Sequence, residues 1–122
     1  LVAPGTCLKL YLAEKSHSEA SNHCQQEGGR LYTIKTPERK DLLKTFISLG
    51  TTSVWLDAVK AVQGGDWVWG DGDIVPLNSS LWYPNQPNST GARCLETWKK
   101  DYLLDDYYCG AGLKYVCEMS VP

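Results

Sequence analysis

Apolar and polar residues alternate near the start of the chain and then change to a helical period. Residues 7–12 alternate as a β-strand does. Residues 16–19, Ser-His-Ser-Glu, form a capping box in which Ser16 and Glu19 each bond the other's backbone amide. We therefore predict a helix that begins after Ser16, carries Ala20 and Cys24 on one face and ends at residues 28–29, Gly-Gly.

A short extended link at residues 31–34 separates this helix from a second one. The second helix is predicted to begin at residues 36–38, Thr-Pro-Glu, because a proline at the first helical position loses no hydrogen bond. Apolar residues then recur at helical spacing until Gly50, which is predicted to end the run. These apolar residues are Leu42, Leu43, Phe46 and Ile47.

The rest of the chain has the pattern of short strands around one long loop. Residues 70–93 are rich in Gly, Pro, Asn, Asp and Ser, and a loop of that length within a compact domain is usually functional. Two helices followed by an antiparallel β half predict an α+β fold, which we assign to one domain spanning residues 1–122. The predicted strands are 54–56, 67–69, 94–98, 102–106 and 115–118, with a turn at 64–66.

Composition limits the functions that the chain can have. Its formal charge is −2 and it has no basic run, which argues against a nucleic-acid surface. Its apolar stretches are too short for insertion into a membrane. Five cysteines in 122 residues predict disulfides and an oxidising compartment, and the glycosylation sequons at Asn78 and Asn88 agree with secretion. Zinc is disfavoured because no two cysteines lie two to four residues apart.

The order and spacing of these parts resemble the C-type lectin-like domains, from Cys7 to Glu118. Residues 54–58, Val-Trp-Leu-Asp-Ala, resemble the family's Trp-Ile-Gly-Leu core strand, and residues 67–72 and 81–82 also fall in family positions. The resemblance implies the C-type lectin-like fold: two helices, antiparallel sheets and a long ligand-binding loop. It also implies two disulfides, Cys24–Cys117 and Cys94–Cys109.

Cys7 is left without a partner by this pairing. Longer family members pair this position with an upstream cysteine that the chain lacks. Three interpretations stay open: a partner lost by truncation, a free buried thiol, or a bond between two chains. A homodimer linked through Cys7 is the expectation we carry forward, because a free thiol is uncommon in a secreted protein.

The resemblance also implies a calcium site that binds two vicinal sugar hydroxyls. Residues 86–88, Gln-Pro-Asn, stand where the family has Glu-Pro-Asn or Gln-Pro-Asp, and a cis bond before Pro87 can aim both flanking side chains at one point. Asp105 and Asp106 stand where the family has Asn-Asp. The family's downstream Glu is replaced by Ala92. The implied calcium and sugar ligands are Gln86, Asn88, Asp105 and Asp106, with the Asp106 carbonyl and water completing a weak site of about 10⁻⁴–10⁻³ M.

Within this family, the sequence also resembles the small galactose-binding C-type lectins of colonial tunicates. These also lack the downstream Glu, read Leu-Leu-Asp-Asp before a cysteine, and have the Cys-x-x-x-Trp element seen here from Cys94 to Trp98. The resemblance implies that Trp98 stacks on the apolar face of a galactose or N-acetylgalactosamine. Trp55, Trp67, Trp69 and Trp82 are instead assigned to the core or to packing of the loop.

Several other functions compete with this interpretation. One is a mannose-type lectin, since the Gln-Pro-Asn triplet is a hybrid of the two family types. Another is a calcium-independent domain that binds a protein, and a mineral or ice surface is a further family role. An enzyme is not expected: adjacent residues on a strand point to opposite faces, so Asp105 and Asp106 cannot flank one scissile bond.

Overall fold

The computed structural model describes residues 2–3, 5–47, 53–61, 65–88, 91–98 and 101–120. Its two helices and six of its eight strands follow the predicted order, while the two strands of only two residues each were not predicted. Neither helix is long and apolar enough to cross a membrane. Gly50 and part of the predicted turn at 64–66 lie outside the described residues. The helices are α1 (His17–Gln26) and α2 (Pro37–Phe46); the strands are β1 (Val2–Ala3), β2 (Thr6–Lys15), β3 (Arg30–Leu31), β4 (Val54–Lys60), β5 (Trp67–Trp69), β6 (Cys94–Trp98), β7 (Leu103–Tyr107) and β8 (Leu113–Ser120).

Both helices begin at the predicted caps. The Ser16 side chain accepts a bond from the Glu19 amide, and the Glu19 carboxylate accepts one from the Ser16 amide. The Thr36 hydroxyl accepts a bond from the Arg39 amide, one residue after Pro37 and Glu38 open α2. Each cap satisfies amides that have no partner within the helix, which is why the starts are encoded locally.

One mixed sheet holds all eight strands. Its main path runs β1-β2-β8-β4-β6-β7, while β3 pairs with β8 and β5 pairs with β4. The expectation of purely antiparallel pairing is wrong for one pair, since β4 and β8 run parallel with Val54 opposite Lys114. Parallel neighbours need a long connection. Here that connection contains the long loop and the β6–β7 pair.

The core lies between the helices and this sheet. Trp55, Trp67, Trp69 and Trp82 are all buried, which confirms their assignment to packing. The two predicted disulfides are present, Cys24–Cys117 spanning 93 residues and Cys94–Cys109 spanning 15. In the chain-entropy model such loops stabilise the fold by about 4–5 and about 3 kcal/mol respectively.

His17 connects the first helix to the sheet. It is buried, its Nε2–H donates to the Leu56 carbonyl at 2.8 Å, and its backbone amide donates to the Cys109 carbonyl at 3.0 Å. Burial lowers the pKa of His17, so the ring is neutral at physiological pH. The residue that opens α1 is therefore a structural histidine.

A second connection is made by the buried carboxylate of Glu118 on β8. Arg30 donates to it at 3.2 Å, Thr33 donates at 3.1 Å, and Arg39 forms a close ion pair with it. The Arg39 guanidinium also lies over the Tyr32 ring, 4.3 Å from its centroid. A buried charge is tolerated only when it is paired, and these contacts join β3 and α2 to β8.

Asp57 is a half-buried carboxylate on β4 that lacks such pairing. Among the described residues its side chain forms no hydrogen bond or ion pair, and it packs so close to Gly70 that a Cβ there would lie 2.1 Å from Oδ2. Burial raises the pKa of Asp57 to about 6, the Arg30 charge opposes the rise, and the charges of Glu118 and Asp71 add to it. The ionised form of Asp57 therefore destabilises the fold.

We expect Asp57→Asn to stabilise the protein at pH 7 by about 1–2 kcal/mol after allowance for solvent screening. Because the pKa of Asp57 is higher in the folded state than the ordinary value of about 3.9, the contribution of Asp57 to wild-type stability is greatest below pH ~4 and falls as the pH rises through about 6. The variant has no such fall. Urea unfolding between pH 4 and 7 measures it, with the exposed Asp66→Asn as control. If the free energy of unfolding depends on pH in the same way for Asp57→Asn and wild type, the raised pKa of Asp57 is refuted.

Candidate functional site

The long loop is attached to the sheet at Leu104 of β7. The Leu104 amide donates to the Leu81 carbonyl at 2.8 Å, and the Tyr83 amide donates to the Leu104 carbonyl at 2.8 Å. Trp82 lies between these residues, and its indole Nε1 donates to the Pro76 carbonyl at 2.9 Å. Strand β7 is the edge of the sheet, so the loop occupies backbone groups that would otherwise be unpaired.

The loop then turns and presents Gln86. The Gln86 amide donates to the Tyr83 carbonyl at 2.9 Å, and Asn85 between them has φ of 71°, a conformation that Asn adopts more readily than most residues. The Gln86–Pro87 peptide bond is cis. Gln86 Oε1 is buried and has no hydrogen-bond partner among the described residues, whereas Asn88 is exposed. The loop therefore positions one buried acceptor next to an open surface.

Strands β6 and β7 form an antiparallel pair that positions the acidic residues. Glu96 lies opposite Asp105, and Leu95 lies opposite Asp106. Opposite residues share a face of the sheet, so the side chains of Asp105 and Asp106 leave β7 on different faces. Both aspartates are buried, with 5% of each exposed.

Glu96 is a site residue that the sequence analysis did not identify. Its buried carboxyl hydrogen-bonds that of Asp105. Burial and the facing carboxylate raise the pKa of Glu96 to about 9, and burial together with the Asp106 charge raises the pKa of Asp105. We infer that Glu96 holds the shared proton and that Asp105 carries the charge. Only the register of β6 against β7 brings the two together.

Trp98 lies on the same face of β6 as Glu96, two residues further along. It is half-buried, and its ring stacks on Tyr83 with 4.5 Å between centroids and 25° between planes. One side of the indole is therefore covered by the loop residue that bonds Leu104. This stack fixes the orientation of the ring relative to the β6–β7 pair.

The structure connects Gln86 and Trp98, through Tyr83, to the start of β7, whereas Asn88 lies exposed two residues beyond Gln86. Gln86 and Trp98 are both held by the segment that bonds Leu104, directly before Asp105 and Asp106 on β7. Within the described ranges, no three His, Cys, Asp or Glu side chains converge as metal ligands do. Any cation here would need amide and backbone oxygens as well as carboxylates.

Comparison with known proteins matches most of the chain to one family of domains. The model of the lectin C-type domain matches residues 13–119. A lectin of Polyandrocarpa misakiensis is 28% identical over 111 residues, covering 87% of this chain and 89% of that protein. The type-2 ice-structuring protein of Hemitripterus americanus is 32% identical over 116 residues, covering 93% and 68%.

Solved structures share the fold. A C-type lectin from the tunicate Polyandrocarpa misakiensis superposes with a TM-score of 0.84 at 26% identity, covering 96% of this chain and 99% of that one. A calcium-independent type II antifreeze protein superposes with a TM-score of 0.83 at 22% identity, covering 99% and 92%. At 22% identity, the similarity to the antifreeze protein shows a shared fold alone.

Proposed function

Since the chain belongs to the C-type lectin domain family, we propose that residues 1–122 form one extracellular carbohydrate-recognition domain that binds galactose-type glycans through calcium. The family is one of non-enzymatic carbohydrate-binding domains, so the chain is not an enzyme. The observation that carries the calcium proposal is the buried Oε1 of Gln86, which has no hydrogen-bond partner among the described residues, while the Gln86 amide bonds Tyr83, the residue that docks on Leu104 of β7.

The edge of β7 explains how two adjacent aspartates can serve one ion. Backbone groups of alternate residues on an edge strand face outward, and Leu104 already bonds the loop on that side. The carbonyl of Asp106, two residues further on, therefore faces the same side. The side chains of Asp105 and Asp106 leave on either side of this edge. A cation held at this edge would take both carboxylates and the Asp106 carbonyl as the ligands that β7 contributes.

Gln86 and Asn88 would supply the remaining protein ligands. An unsatisfied buried carbonyl oxygen costs about 1–3 kcal/mol, and a hard cation that prefers oxygen ligands would remove that cost. The residues present therefore fit calcium: two carboxylates, two side-chain amides and one backbone carbonyl. Calcium takes six to eight oxygens, which leaves room for two sugar hydroxyls, and the bound ion would orient that hydroxyl pair.

Trp98 supports the preference for galactose or N-acetylgalactosamine. Because Tyr83 covers one side of its ring, the other side is the one offered to a ligand. The axial 4-hydroxyl of galactose leaves a continuous patch of C–H bonds on one face of the sugar, and an aromatic ring can bury that patch. Glucose and mannose have no equally continuous patch. The gain is about 1–2 kcal/mol by area.

The main rival is a calcium-independent ligand. Members of this family commonly bind calcium, but a calcium-independent antifreeze protein has the same fold, and an ice-structuring protein is 32% identical to this chain. In the described part of the chain no three His, Cys, Asp or Glu side chains are arranged to hold a metal ion, and this favours the rival. Binding measured with and without a calcium chelator distinguishes this rival from our proposal.

A homodimer is also part of the proposal, since a single site of Kd ~1 mM gives only about −4 kcal/mol. When two such sites are linked, binding of the first raises the effective concentration of the ligand at the second, so the overall affinity for a target with two sugars increases. Cys7 is unpaired and half-buried on β2, opposite Met119 of β8.

We expect calcium-dependent galactose binding that Asp106→Asn abolishes. The change removes one of two ligand charges while preserving shape, so thermal stability without calcium should change by less than about 1 kcal/mol. Calorimetric titration of calcium, and then of galactose and mannose with and without chelator, measures the effect. The exposed Asp66→Asn is the matched control. Full galactose binding in chelator would eliminate the calcium mechanism and favour the rival.

Trp98→Ala should weaken galactose binding by about 5- to 30-fold, corresponding to about 1–2 kcal/mol, while calcium affinity stays within about twofold. Trp98→Phe should keep part of the preference because it retains an aromatic face. Competition between galactose and mannose in calcium reports the preference. If Trp98→Ala retains full selectivity for galactose, Trp98 only packs against Tyr83.

A link through Cys7 predicts that the mass on a denaturing gel halves when reductant is added. Cys7→Ser should migrate as a monomer with or without reductant. A wild-type monomer under non-reducing conditions would contradict the interchain bond.

A further inference from the structure

We infer that Asn78 carries an N-linked glycan whose first sugars cover an apolar patch on the long loop. The patch consists of Ile74 and Leu77, whose side chains are 57% and 67% exposed. Both lie within four residues of Asn78, which is itself exposed and begins the sequon Asn78-Ser79-Ser80. The inference rests on the secretory route proposed above and is independent of which ligand the domain binds.

The backbone holds the sequon in an accessible turn. The Ser79 amide donates to the Pro76 carbonyl at 3.2 Å, so Asn78 is the third residue of a four-residue turn. The Ser79 hydroxyl is occupied, because it accepts a bond from the Leu81 amide at 3.1 Å. Ser80, the hydroxyl residue of the sequon, is exposed. Among the described residues, the Asn78 carboxamide has no hydrogen-bond partner that modification would break.

The same turn is anchored to the core. Trp82 donates from its indole nitrogen to the Pro76 carbonyl, and its ring packs edge-on against Trp67. A glycan attached to Asn78 would therefore start from a rigid support. Its position relative to the apolar patch would be defined rather than averaged over a flexible loop.

Ile74 of this patch also lines a groove of about 340 Å³, to which Ser79 contributes as well. The groove walls are mostly apolar. The C–H faces of the first sugars of a glycan can pack on such side chains. The apolar residues of the groove include Ile34, Ile74, Val75, Pro76 and Leu81.

The modification is a group transfer from a lipid-linked oligosaccharide diphosphate. The Asn78 Nδ2 forms a bond to the anomeric carbon of the first sugar, and the bond from that carbon to the diphosphate oxygen breaks. The amide nitrogen gives up one proton, and the lipid diphosphate leaves with the electron pair. No oxidant or reductant is involved.

The experiment compares variants of the full chain secreted from animal cells. We expect wild type to exceed its 13.6 kDa polypeptide mass and to lose the excess on treatment with a peptide N-glycosidase. Asn78→Gln and Ser80→Ala should both be secreted without that excess. Ser80→Ala keeps Asn78 in place, so it separates loss of the glycan from loss of the side chain.

Asn88→Gln distinguishes the two sequons. If it keeps the excess mass, Asn78 is the modified residue. If Asn88→Gln removes all of the excess, or if wild type is secreted at its bare mass, the inference is wrong. If both asparagines are modified, the inference about Asn78 holds and the proposed role of Asn88 as a calcium ligand fails. The calcium titration tests that role independently.

Coverage of the patch is tested with a dye that binds apolar surface. Ser80→Ala should bind more dye than glycosylated wild type. Adding Ile74→Ser and Leu77→Ser to Ser80→Ala should remove the increase. Equal dye binding by wild type and Ser80→Ala would show that the glycan does not cover these residues.

Discussion

Two backbone hydrogen bonds at Leu104 attach the loop that carries Gln86 to the strand that carries Asp105 and Asp106. They join Leu81 and Tyr83 of the long loop to the outer edge of β7. Tyr83 then supports the Trp98 ring and accepts the bond that closes the turn before Gln86. Asp105 and Asp106 follow Leu104 directly along the strand. Without this attachment the loop oxygens and the strand carboxylates would belong to unrelated parts of the surface.

The same arrangement solves a general difficulty of β-sheets. An open edge invites pairing with another chain, and proteins commonly cover it or interrupt it. Here the loop covers the edge at Leu104, two residues before Asp106 along β7. Protection of the edge and attachment of the segment that carries Gln86 are therefore achieved by the same two hydrogen bonds.

The features that could be predicted from the sequence are those encoded by neighbouring residues. Helix starts at Ser16 and Thr36 depend on local caps, and the predicted starts are confirmed. Strand β2 runs on to Lys15, beyond the predicted end at Leu12, because strand ends depend on the partner strand and not on the segment itself. The framework cysteines followed from the resemblance, which depends on the order of many parts.

The features that could not be predicted depend on contacts between distant residues. The parallel pairing of β4 with β8 has no local signal. Glu96 was missed because only the register of two strands places it against Asp105. The stack of Trp98 on Tyr83 and the unpartnered oxygen of Gln86 likewise arise from where the loop docks. The candidate ligands were named from a resemblance, whereas their environments required the fold.

The central position of β8 affects how the chain acquires its structure during synthesis. This strand pairs with β2, β3 and β4 and follows all the other described strands along the chain. A nascent chain therefore cannot complete its sheet, pair Cys24 with Cys117 or pair Arg30 with Glu118 until β8 has been synthesised. Contacts of such long sequence separation form slowly. During that delay the edges of β2 and β4 that face β8, and the Cys24 thiol, lack their native partners, so the unfinished domain is exposed to pairing with other chains and to non-native disulfides.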